Sequence, residues 1–74
     1  MTEFRGIASE TIITTKDNIN NVMVGNKIEI FDENDGKTEI VGIVKDVKHL
    51  VSKWRNHQGL ERSTHNIVIY VEDK

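Results

Sequence analysis

From Lys27 the chain alternates polar and apolar residues, Lys27-Ile28-Glu29-Ile30, until Phe31 breaks the pattern before Asp32. A period of two marks a strand with one face buried. After Asn34-Asp35-Gly36 the chain resumes as Lys37-Thr38-Glu39-Ile40-Val41-Gly42-Ile43-Val44, which predicts a β-hairpin. Two turn registers fit. A two-residue Asp35-Gly36 turn sets Asp32 opposite Glu39, a like-charge pair. A three-residue Asn34-Asp35-Gly36 loop with Gly36 left-handed sets Glu33 opposite Lys37 and Ile30 opposite Ile40. Opposite charges across a strand pair help by about 0.2–1 kcal/mol and like charges hurt, so the second register is preferred, with a bulge as its natural accompaniment.

Three further strands are expected. Phe4–Ala8 and Thr11–Thr15 are short, and Ser9-Glu10 either separates them or bends one longer strand. Asn66-Ile67-Val68-Ile69-Tyr70-Val71 is an almost unbroken β-forming run. The polar Lys16–Asn21 stretch reads as a loop. Residues 46–58 are ambiguous. Val47, Leu50, Val51 and Trp54 fall at i, i+3, i+4 and i+7, the stripe of a short helix with Asp46 as its cap and Gly59 as its stop. The competing reading continues a strand from Ile40 through Val51 and leaves 52–65 as a long hairpin loop. The lead-in Val22-Met23-Val24-Gly25-Asn26 before the alternating strand resembles that of SH3-like small barrels. The resemblance is confined to this short stretch and carries over no functional residue.

The expected fold is therefore one domain, residues 1–74. It is mainly β: a small antiparallel sheet of five strands or a partly open SH3-like barrel, with one short helix at 46–58 as the open alternative. The expected core is Ile7, Ile13, Val22, Val24, Ile28, Ile30, Ile40, Val44, Ile67, Ile69 and Val71, with Phe31 on a second face. Val and Ile dominate the apolar residues and Leu occurs only at 50 and 60, a bias toward strands. A chain this short buries only roughly 60% of the surface its unfolded form exposes. It has no cysteine, so neither disulfides nor thiolate zinc sites support it. Absence of cysteine fits a reducing compartment. With no apolar leader after Met1 and no run near the roughly 20 residues of a membrane span, the expectation is a cytoplasmic protein that does not cross a membrane.

Charge changes this picture. Residues 1–44 carry eight acids against four bases. Residues 45–65 carry five bases, Lys45, Lys48, Lys53, Arg55 and Arg62, against Asp46 and Glu61. All three histidines and the single tryptophan, Trp54, fall in that basic stretch, inside a chain of net charge −2. Such asymmetry points to an anionic or acidic partner. The candidate partner-binding residues are Lys45, Lys48, Lys53, Trp54, Arg55, His57 and Arg62. Lys and Arg neutralise phosphate or carboxylate, and an exposed indole offers a stacking face for a base. The plainer alternative puts Trp54 in the core and the bases on a solvated face. The net negative charge also argues against a non-specific DNA-coating protein.

Other chemistry is weaker. His49, His57 and His65 recur every eight residues, a spacing that aligns no ligands along one helix, and no metal site is assigned. Asp32, Glu33 and Asp35 superficially resemble a calcium loop but lack its twelve-residue ligand pattern, so turn chemistry explains them. No nucleophile elbow or phosphate-cradling glycine motif occurs. Neither a catalytic residue nor a cofactor is assigned, and an enzyme is not expected. The expected function is a small binding module, inhibitor or adaptor acting on a protein partner, of a kind that suits a phage accessory protein. The alternative is nucleic-acid or nucleotide binding through residues 45–65.

Overall fold

The computed structural model describes residues 1–73. It contains five strands and, among these residues, no helix: β1 (Thr2–Gly6), β2 (Ile12–Thr15), β3 (Lys27–Phe31), β4 (Thr38–Arg55) and β5 (Glu61–Asp73). They form one sheet in the order β2-β1-β5-β4-β3, curled into a half-barrel. Three pairings are antiparallel. The fourth, β1 with β5, is parallel, so the expected antiparallel sheet is in fact mixed. Among the described residues no helix is long and apolar enough to cross a membrane.

Register explains the core. Ile13, Phe4, Ile69 and Val47 are successive partners across β2, β1, β5 and β4. Gly6, Val71 and Val44 form the next row toward β3. These side chains share the concave face, where Phe4, Ile40, Val44, Ile67, Ile69 and Val71 are buried. Ile13, Ile28, Ile30 and Val22 pack against them half-buried, as expected in kind if not in degree. Two expected core residues lie outside: Ile7 is 52% and Val24 63% exposed. Ile7 falls in the β1–β2 reversal and Val24 beside left-handed Gly25, so neither follows strand alternation. Ile19, inside the stretch read as a polar loop, joins the core instead. Buried Thr2 holds that loop in place, donating from Oγ1 to the Asp17 carbonyl (2.7 Å) and accepting from the Ile19 amide (2.9 Å).

The β3–β4 hairpin pairs Ile30 with Ile40, as the preferred register predicts. A bulge then intervenes, Phe31 faces Thr38, and the Asp32 amide donates to the Lys37 carbonyl at 2.9 Å. Glu33 consequently lies in the loop rather than opposite Lys37. Gly36 has φ of +71°, the left-handed value expected of it. Phe31 is exposed.

Residues 46–58 are not a helix. Strand β4 runs through Arg55, past the Val51 limit of the competing reading, and only Asn56–Leu60 turn. A bulge at Lys45, between the pairs Val44–Val71 and Asp46–Tyr70, accounts for the misleading pattern. The bulge inserts one residue, so Val44 and Val47 both face the core at a spacing of three. The apolar set Val47, Leu50, Val51, Trp54 then divides between the two faces of a strand.

The end of β5 is tied to the β1–β2 reversal through Asp73. Its carboxylate accepts hydrogen bonds from the Ser9 hydroxyl and from the amides of Ala8 (2.8 Å) and Ser9 (3.3 Å). The Ser9 hydrogen bond is the main reason that the Asp73 pKa is lowered; burial works against it and the backbone amides assist. A lowered folded-state pKa means stability that is present above the ordinary aspartate range and is lost as pH falls through it. The expected result is a urea midpoint that declines from neutrality to about pH 3, with a shallower decline in Asp73→Asn. Parallel curves for the two proteins would reject this role for Asp73.

Candidate functional site: a projecting two-stranded arm

Strands β4 and β5 outrun their neighbours. β3 covers β4 only as far as Val44, whose amide donates to the Asn26 carbonyl (2.9 Å), and β1 covers β5 only back to Ile67, whose amide donates to the Met1 carbonyl (2.9 Å). From Leu50–Asn66 to Arg55–Glu61 the two strands pair with each other alone. At about 3.3 Å per residue this is an arm of about 20 Å before its turn. It accounts for the elongated 46 × 28 × 21 Å shape. The turn is built by Asn56. Its Oδ1 accepts from the amides of Gln58 and Leu60, both at 3.0 Å, and Gly59 takes φ of +80°. An Asn three residues before a left-handed Gly is a hairpin signal, present in the sequence but there read as the end of a helix.

An isolated two-stranded ribbon is marginal in water. Cross-strand side-chain pairs hold this one. Ser52 and Thr64 share a hydrogen bond between hydroxyls. Lys53 and Arg55 both approach Glu61, at 3.5 and 3.9 Å. His49 Nδ1 and His65 Nε2 lie 2.8 Å apart with the rings stacked, an arrangement that needs a lone pair on one ring and a proton on the other.

The seven candidate residues do not form one cluster. Alternation places Lys48, Trp54 and Arg62 on the convex face, with Trp54 directly opposite Arg62. Lys53 and Arg55 lie on the other face, a continuation of the core side, beside Glu61. His57 is in the turn. Lys45 sits at the bulge at the base of the arm and pairs with Glu72 at 3.3 Å. Trp54 is 48% exposed, so the core alternative for it fails. Leu50, Val51 and Leu60 are also exposed. Lys48 and Arg62 enter no ion pair among the described residues. His57 stands apart from the His49–His65 pair, and among the described residues no group of three or more potential metal ligands occurs.

A second feature escaped the sequence. The two edge strands of the half-barrel, β2 and β3, face each other across an open seam. A depression of about 430 Å³ lies there, walled by Phe4, Ile13, Ile19, Ile30 and Phe31, with Glu29 and Glu33 as its charged residues. Neither carboxylate is ion-paired among the described residues. The break in alternation at Phe31 was its one trace in the sequence. Comparisons with protein-family models, curated proteins and solved structures give no match, so the chain's own residues carry the functional assignment.

Proposed function

We propose that this chain is a non-enzymatic binding module, an inhibitor or adaptor of the cytoplasm, that grips a protein partner with its arm. The observation that carries this is the arm itself. It exposes Leu50, Val51, Trp54 and Leu60 on an element that gains nothing from the core, and three bases, Lys53, Arg55 and Arg62, against one acid, Glu61, surround them. Exposed apolar residues clustered on one projection mark an interaction surface, and Trp and Arg are the residue types most enriched in interface hot spots. One observation favours nucleic acid as the second reading: Trp54 and Arg62 face each other across the ribbon with Lys48 on the same face. A two-stranded ribbon fits the DNA major groove, and an indole stacks on a base.

The test immobilises the full chain and captures partners from a cell lysate, with and without nuclease, beside a Trp54→Ala/Leu60→Ser variant of unchanged circular dichroism. Nuclease-resistant capture of a protein by the parent chain, lost in the variant, is the expected result. Capture abolished by nuclease, and weakening steeply with salt, transfers the assignment to nucleic acid. Equal capture by both chains places the binding surface away from the arm.

A further inference from the structure

We propose that the partner of the arm is a second copy of this chain, with the Trp54 face of one copy seated in the seam of another. The inference rests on the arm being the binding element and adds what it binds. Two surfaces on the same molecule complement each other. The arm presents a large exposed aromatic, Trp54, directly opposite Arg62, with Lys48 on the same face about 20 Å back at the base of the arm; neither base is ion-paired among the described residues. The seam presents an apolar floor of Ile13, Ile19, Ile30 and Phe31 with Glu33 and with Glu29, whose carboxylate also accepts from Thr38 Oγ1 at 3.2 Å, and no base lines it. It is an open depression, so an indole can reach its apolar floor from solvent. Both walls are edge strands, whose outer backbone amides and carbonyls are open to pairing with an incoming strand. The arm cannot reach its own seam, because it continues β4 and β5 outward from the middle of the sheet while the seam joins the two ends. Docking therefore links different molecules. It closes into a dimer where two arms exchange and propagates into a chain of copies where they do not.

The sole tryptophan reports directly on the contact. On raising the concentration of the full chain, its fluorescence should shift to the blue as the indole leaves water, while the sedimentation mass rises above the 8.5 kDa of one copy. Raising salt should weaken the association, since it screens Arg62 from the seam's carboxylates, without abolishing the apolar part of the contact. Trp54→Ala should weaken association by about 30-fold, the loss typical of an interface hot spot. Two charge reversals supply the decisive arm. Lys48→Glu/Arg62→Glu inverts the charge of the Trp54 face of the β4–β5 ribbon without breaking an ion pair, and Glu29→Lys/Glu33→Lys inverts the seam. Each folded variant should remain at 8.5 kDa alone, and an equimolar mixture should associate again, because each then offers the other an opposite charge. A parent chain that stays at the mass of one copy at every concentration overturns the proposal. So does a mixture of the two variants that does not associate although circular dichroism shows both folded. If the arm captures a foreign protein from lysate while the chain itself stays monomeric, the self-pairing is wrong and the binding role of the arm survives.

Discussion

Ile69→Ala is expected to leave the domain largely unfolded. Ile69 lies on the central strand, fully buried, between Phe4 of β1 and Val47 of β4. Truncating such a residue removes transfer free energy and leaves a cavity, together about 2–5 kcal/mol. Small domains sit near the lower end of the usual stability range, about 5 kcal/mol, so the loss approaches the whole. Amide chemical-shift dispersion at 37 °C is the measurement. A well-dispersed spectrum for the variant would show that β5 is not the centre of the core.

The second large effect is expected from Gly42→Val, a change that strand propensity alone would favour. Gly42 is the register partner of Asp73, where β5 passes closely over β4. A Cβ built at Gly42 would stand 2.1 Å from the Glu72 carbonyl oxygen and 2.7 Å from its carbon. Both atoms are backbone, so relief requires the strands to part. Overpacking of this kind costs about 1–3 kcal/mol or more. The urea midpoint should fall accordingly, while Val41→Thr on the exposed neighbouring position leaves it nearly unchanged. Equal midpoints for Gly42→Val and the parent would show that the two strands do not approach so closely. The same separation would pull Asp73 from Ser9, so the variant should also lose part of its acid dependence.

How far the sequence reveals this molecule depends on how local each feature is. The β3–β4 hairpin was legible because alternation from Lys27 to Ile30 and a left-handed Gly36 are short-range signals, and the Ile30–Ile40 register followed from them. The bulge at Lys45 defeats the same logic. By resetting the alternation, it produces a helical spacing in a strand, so one unpaired residue concealed an 18-residue element. The parallel pairing of β1 with β5 depends on residues at opposite ends of the chain and leaves no local mark. The basic segment was recognisable as a segment, since charge and Trp54 are visible in composition. Its division into two faces needed the register, which puts Trp54 with Arg62 and sets Lys53 and Arg55 against Glu61. Apart from the break in alternation at Phe31, the seam was not legible, because Glu29 and Glu33 meet Ile13 and Ile19 only after the sheet curls.

The central position of β5 also governs how the chain must fold. β1 has no strand to join except β2 and β5, and Ala8 and Asp73, which hydrogen-bond, stand 65 positions apart. Closing so long a loop early is entropically costly, and long-range parallel pairing is slow. The β4–β5 ribbon has no such obstacle. It zips from a five-residue turn, Asn56 to Leu60, whose hydrogen bonds are all local. Local closure favours the ribbon and the β3–β4 hairpin alike, whereas β1 can dock in the sheet only on a β5 already in place. During synthesis no strand can pair with the sheet's centre until residues 61–73 have left the ribosome.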